Sequence, residues 1–131
     1  MAKRVSGIGG VFFKAKDPTK LAEWYAKHLE IESEGEQPTS MFLWREQDNP
    51  EHTGMTVWSI HPNTTDYFGS SDAQFMINYR VENLDALMQA LKQEGVEILR
   101  DVQDTPYGRF AAIKDLEGNG IELWEAPDDE E

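Results

Sequence analysis

The sequence predicts an α+β domain built from two tandem copies of one β-α-β-β-β module. The first copy spans about residues 7–62 and the second about 74–127 of a 131-residue chain. Three observations carry this expectation. Two amphipathic helices open on the same signal: Asp17-Pro18 precedes Leu21, Trp24, Tyr25 and Leu29, and Asn83 precedes Leu84, Leu87, Met88 and Leu91. The copies keep step, because Asp17 and Asn83, Leu21 and Leu87, and Tyr25 and Leu91 each stand 66 positions apart, and Pro62 and Pro127 stand 65 apart. The chain also closes on a hairpin, Arg109 to Trp124. One helix covers only one face of each small sheet, so the other face needs a partner, and the second copy supplies it.

Taken in order, Ile8 and Val11-Phe12-Phe13 form a first apolar strand. Asp17 caps the following helix and Pro18 occupies its first position, where a missing N–H does no harm. Leu21, Trp24, Tyr25 and Leu29 define a stripe expected to be buried. Gly35 to Ser40 is rich in turn formers. Met41 to Trp44 and Met55 to Ile60 read as strands, separated by the polar loop Gln47 to Gly54. A polar connection, His61 to Asp72, carries Tyr67 and Phe68. The second copy begins with the strand Phe75 to Val81, then the helix that Asn83 caps and Gly95 stops. Val96 to Leu99 reads as a short strand, and Pro106-Tyr107-Gly108 lies in the loop before the hairpin. In that hairpin Phe110 to Ile113 and Ile121 to Trp124 are the strands, and Asp115-Leu-Glu-Gly-Asn-Gly120 supplies the turn.

The composition sets limits on partners. A formal charge of −13 disfavours nucleic acid and anionic membrane surfaces alike. Part of that charge is the run Asp128-Asp-Glu-Glu131, which reads as a solvated tail, and the acidic remainder attracts cations or simply confers solubility. No apolar run reaches membrane-helix length. Lys3-Arg4 is followed by Gly7, Gly9 and Gly10 rather than an apolar stretch, so a cytoplasmic protein is expected. With no cysteine there is no disulfide, thiolate nucleophile or sulfur-ligated metal.

Strand alternation places Glu122 and Trp124 on one face and Ile121 and Leu123 on the other. A carboxylate within an apolar strand is costly unless it is paired, so Glu122 is the first candidate for function. The chain resembles the vicinal-oxygen-chelate superfamily of glyoxalase I, bleomycin-resistance proteins and extradiol dioxygenases. The likeness lies in Asp17-Pro-Thr-Lys-Leu-Ala-Glu-Trp-Tyr25, in Val81-Glu-Asn-Leu-Asp-Ala-Leu87, and in Asp115-Leu-Glu-Gly-Asn-Gly-Ile-Glu-Leu123. It implies paired βαβββ modules whose curved mixed sheet forms a cup with the helices outside. It also implies a homodimer, and a divalent ion held by His, Gln or Glu on the first and last strands of each module. Counted from Asp17, Asn83 and Pro62, those four places hold Gly10, Val57 (with Ser59 one pleat further), Met76 and Glu122. His28, His52 and His61 lie elsewhere, so no metal and no other cofactor is expected.

The cup face then carries Phe12 and Lys14 beside Gly10, Asn78 and Arg80 beside Met76, Ser59 and His61 on the fourth strand, and Glu122 and Trp124 on the last. Val11, Phe13, Ile77, Tyr79, Ile121 and Leu123 face the helices. Phe12, Ser59, His61, Asn78, Arg80, Glu122 and Trp124 are thus the expected ligand contacts, for a cationic or aromatic small molecule. Each has a plainer reading: Glu122 pairs with Arg80 or Arg109, Trp124 and Phe12 are core, and His61 is exposed at a strand end. Tyr67-Phe68 and Tyr107-Gly108-Arg109 rim the mouth or serve oligomer contacts. Two functions stay open, a metal-independent binder in the manner of bleomycin-resistance proteins, and a glyoxalase-like lyase or related enzyme with Glu122 as base.

Overall fold

The computed structural model describes residues 4–127; the run Asp128 to Glu131 and the first three residues lie outside the described residues. The elements run β1 (Gly7–Ala15), α1 (Pro18–Leu29), β2 (Thr39–Arg45), β3 (Thr53–Pro62), β4 (Phe75–Arg80), α2 (Leu84–Gln93), β5 (Ile98–Thr105), β6 (Gly108–Lys114) and β7 (Gly120–Glu125). Seven strands form one mixed sheet in the order β2-β3-β1-β4-β7-β6-β5. This is the expected α+β class.

The seam between the two copies is the antiparallel pair β1–β4, in which Gly10 faces Asn78 and Phe12 faces Met76. On either side a parallel pair repeats the same local topology. β1 lies against β3, with Phe12 opposite Ser59, and β4 lies against β7, with Asn78 opposite Glu122. Side chains of one pleat phase on these four central strands therefore converge on one concave face.

Local chemistry fixes both helix starts as the sequence anticipates. The Asp17 carboxylate accepts from the Lys20 N–H at 3.1 Å, and the Asn83 amide oxygen accepts from the Ala86 N–H at 3.1 Å. A further α2 donor, the Leu84 N–H, is met by Glu125 Oε1 at 2.8 Å.

The two copies are unequal. α2 buries Leu84, Leu87 and Met88 against Val81, Ala111 and Leu123. The stripe of α1, expected to be buried, is not: no α1 residue falls in the buried class, and Trp24 and Leu29 are 51% and 57% exposed. The reason is the width of sheet beneath each helix. α2 packs on β5, β6 and β7, whereas α1 packs mainly on β1 and β3, through edge contacts among Phe13, Tyr25 and Trp58. Among the described residues the first copy has three strands rather than four. Where the second copy places β5, the first has only an isolated bridge between Glu34 and Thr39. The second copy shows the opposite departure, since β5 continues to Thr105 where a loop was expected, bulging at Arg100 to keep its pairing with β6.

The connection 63–74 crosses the floor of the concave face as a strap. Phe68, expected at a rim, is fully buried with Phe12, Met76 and Ala112. The strap lies so close to β7 that a Cβ on Gly120 would stand 2.3 Å from the Phe68 carbonyl oxygen, so only glycine admits it there. Lys14, expected on the cup face, instead donates to the Ser71 carbonyl at 3.1 Å and holds the strap from outside. Among the described residues no helix is long and apolar enough to cross a membrane.

Candidate functional site

The concave face encloses a cavity of about 830 Å³. Of the seven residues expected to contact a ligand, Phe12, Ser59, His61, Asn78, Glu122 and Trp124 line it together. Arg80 does not. It points toward the far end of β4, where its guanidinium lies 5.0 Å from the Trp44 ring and 4.9 Å from the Trp124 ring and donates to the Met55 carbonyl. These rings draw the cation away from the cavity. Apolar and aromatic side chains complete the wall, among them Met41, Met55, Val57, Tyr107 and Phe110. Phe110 and Trp124 stack nearly parallel, with centroids 5.8 Å apart.

Glu122 stands at the centre of the floor and is 2% exposed. Asn78 Nδ2 donates to its Oε1 at 2.6 Å, and the Tyr67 hydroxyl donates to Oε2. Neither ion pair considered from the sequence carries Glu122, since Arg109 is engaged with Asp85 and Asp104. With desolvation dominant and no close cation to offset it, burial pushes the Glu122 carboxyl up to about 8. Asn78 is oriented by its neighbour across the seam: its Oδ1 lies where a Cβ on Gly9 would intrude to 2.2 Å, and that oxygen has no hydrogen-bond partner. A bulge between Ile8 and Gly10 turns Gly9 to the cup, a shift that regular alternation does not anticipate.

Tyr67 is the functional group that the sequence reading left at the rim. Its ring stacks on His61, with centroids 5.9 Å apart and planes 18° from parallel, and the Arg100 guanidinium lies 4.2 Å from the ring centroid. Arg100 also donates to the Tyr67 carbonyl at 3.1 Å. Only the path of the strap brings these three together, and the sequence signal was limited to an aromatic pair in a polar connection. His61, expected to be exposed, is 7% exposed because the strap folds over it, placing Phe12 and Phe68 within 5.5 Å and 5.0 Å of its ring. Burial lowers its pKa below the usual imidazole value, so it is neutral at pH 7.

The four places at which the resemblance implies metal ligands can now be read from pairing rather than by counting from prolines. Phe12 faces Ser59 as Asn78 faces Glu122, so Ser59, not Val57, is the counterpart of Glu122. The set is therefore Gly10, Ser59, Met76 and Glu122. Met76 is sealed in the floor at 1% exposure, and both Glu122 oxygens already accept hydrogen bonds. Among the described residues no three His, Cys, Asp or Glu side chains gather to hold an ion. One carboxyl and one hydroxyl do not fit a divalent cation, which asks for about six hard donors.

A family model described as the Glyoxalase/Bleomycin resistance protein/Dioxygenase superfamily matches residues 7–123. No curated protein matches the chain. Among solved structures, methylmalonyl-CoA epimerase from Mycobacterium tuberculosis superposes with a TM-score of 0.67 at 18% identity, covering 97% of this chain and 93% of that one. A Streptomyces coelicolor methylmalonyl-CoA epimerase in complex with 2-nitronate-propionyl-CoA gives a TM-score of 0.71 at 16% identity, covering 97% and 99%. A Legionella pneumophila structure described as an NAD-dependent benzaldehyde dehydrogenase gives 0.58 at 13%, covering 90% and 98%. At these identities the likeness is one of fold.

The buried carboxyl predicts a definite pH dependence of stability. Between about 4.5, its ordinary value, and about 8 the folded state holds a proton that the unfolded chain releases. Its contribution is complete below that window and is lost as pH rises through it. The wild type therefore loses stability relative to Glu122→Gln across this window, by up to about 4–5 kcal/mol at roughly 1.4 kcal/mol per unit. Urea titrations of both proteins from pH 4 to pH 9 measure the difference, and parallel profiles would contradict it.

Proposed function

Because the chain belongs to the glyoxalase/bleomycin resistance protein/dioxygenase superfamily, we propose that its cup binds a small, largely aromatic molecule without a divalent metal. The observation that carries this reading is the cavity itself: about 830 Å³, walled by Phe12, Phe110, Trp124 and two methionines, with few polar groups on its floor. A cationic ligand enters this reading in one way only. Glu122 with its carboxyl near 8 is mostly protonated at pH 7, so a cation must displace that proton and its affinity rises with pH. The acidic balance of the chain, formally −13, supports a partner that is neither nucleic acid nor membrane, and the lack of cysteine accords with a cytoplasmic place.

Metal analysis and thermal-shift measurements test the proposal together. Protein purified without chelator is expected to hold no stoichiometric Ni, Zn, Mn or Fe. Aromatic ligands are expected to raise its melting temperature equally with and without EDTA, by the increment that ligand excess over Kd dictates. Stoichiometric metal, or stabilisation abolished by EDTA, would overturn it.

One observation favours a second reading, catalysis with Glu122 as general base. A carboxyl near 8, hydrogen-bonded to Tyr67 inside a cavity, is matched to proton transfer close to neutrality. In that case the protein catalyses exchange of an acidic C–H of a bound carbonyl compound with deuterium from solvent, seen by proton NMR. Glu122→Gln slows that exchange about 100-fold or more; exchange equal in the two proteins rules the reading out.

We also propose a homodimer. Supporting it are Met41, Phe42 and Leu43 on the edge strand β2, at 56%, 47% and 67% exposure, and Trp24 and Leu29 on α1. Light scattering coupled to gel filtration is expected to give twice the chain mass, and a concentration-independent monomer refutes it.

A further inference from the structure

Resting on the cup reading, we propose that the guest is an aromatic amine whose ammonium head is held by Glu122, arriving in exchange for the proton that the carboxyl otherwise carries. The placement of the basic side chains carries this inference. Strand alternation puts Lys14 and Arg80 on the cup face, yet both are turned away from it. Lys14 donates to the Ser71 carbonyl at 3.1 Å, and the Arg80 guanidinium lies 5.0 Å and 4.9 Å from the Trp44 and Trp124 rings. Arg109 is engaged with Asp85 and Asp104. On β5, Arg100 lies 4.2 Å from the centre of the Tyr67 ring and donates to the Tyr67 carbonyl. On β3, burial keeps His61 neutral. Among the described residues no cation pairs with Glu122, so a carboxyl at 2% exposure lines the cavity with its counter-charge left to a guest.

Hydrogen bonding points the same way. The ionised carboxylate accepts from Asn78 Nδ2 on one oxygen and from the Tyr67 hydroxyl on the other, which leaves about half of its lone-pair sites open. Beside it Asn78, also 2% exposed, keeps its Oδ1 without a partner among the described residues. What stands open around the carboxylate is acceptor capacity, and a guest meets it by bringing donors. An ammonium group brings N–H donors and a full charge in a compact head. Its bond to a carboxylate away from water is charge-assisted, roughly twice as strong as a neutral one. The wall suits the rest of such a guest, because Phe12, Phe110 and Trp124 offer apolar ring surface to an aromatic body and their faces attract a cation. Giving up the proton is affordable near neutrality: with the carboxyl at about 8, the exchange costs about tenfold in affinity at pH 7. A chain of formal charge −13 also concentrates cations around it.

Benzylamine, benzyl alcohol and benzyltrimethylammonium share one aromatic body and differ at the head: a cation with N–H donors, a neutral hydroxyl and a cation without donors. Titrations followed by amide NMR shifts at pH 6, 7 and 8 are expected to show benzylamine bound in the cup. At pH 8 it binds at least about tenfold more tightly than either of the others. Its affinity rises by about one to two orders of magnitude from pH 6 to pH 8, as the carboxyl yields its proton, whereas that of benzyl alcohol stays level. In Glu122→Gln, benzylamine falls to the level of benzyl alcohol and loses its pH dependence, while benzyl alcohol changes by less than about threefold. Benzylamine no tighter than benzyl alcohol at pH 8, or favoured by the same factor in Glu122→Gln, would overturn the inference and leave the cup reading intact. So would a level pH profile for benzylamine in the wild type, which needs no variant, or benzyltrimethylammonium binding as tightly as benzylamine. If none of the three shifts a cup resonance, both readings fail together.

Discussion

A carboxyl at 2% exposure in the middle of a sheet is the constraint around which the rest is arranged. In its charged form Glu122 is expensive to bury, and among the described residues no cation pairs with it. Instead three separate parts of the chain converge on it. β4 supplies Asn78 through the parallel pairing that sets the two residues opposite each other. The strap supplies Tyr67. β1 supplies Gly9, whose missing side chain leaves room for the Asn78 amide. Each contribution depends on a long-range pairing, so the site exists only when both copies and the strap are in place. Since a charged partner is absent, the protonated form is the one favoured, and a cup of low formal charge follows from that choice.

The parts of the fold legible in the sequence are those fixed by near neighbours. Helix starts at Asp17 and Asn83 depend on side chains capping amides three residues away, and the closing hairpin depends on turn chemistry between Asp115 and Gly120. Repetition at a fixed offset carried the pairing of copies. What escaped depends on contacts between distant segments. The strap folds Phe68 inward and covers His61, which reverses both expectations of exposure. Arg80 obeys alternation yet leaves the cavity, because two indole rings, one from each copy, attract its guanidinium more than the apolar cup does. The bulge at Gly9 shifts pleat phase, and a proline anchor put the counterpart of Glu122 one pleat away from Ser59.

The unequal copies give the asymmetry a physical shape. The second copy keeps four strands, a helix buried along one stripe and the acidic side chain. The first has three strands, a helix lying on two of them and small residues, Gly10 and Ser59, at the matching places. Less apolar area is removed from water beneath α1 than beneath α2, so less of the stabilisation resides in the first copy. Its wall of the cup, made by β3 and β2, carries the Ser59 hydroxyl and the His61 imidazole. Open hydrogen-bonding capacity does not follow that division, because the buried Asn78 Oδ1 of the second copy is without a partner among the described residues.

The same asymmetry bears on how the two halves are held together. Where a cation is held by donors from both copies, it ties the two halves across the floor. In this chain protein contacts tie the halves through the Arg80 stack between Trp44 of the first copy and Trp124 of the second, while the strap between the copies reaches the floor through the Tyr67 bond to Glu122. At Gly10, Ser59, Met76 and Glu122, packing and hydrogen bonding shape the floor of the cavity.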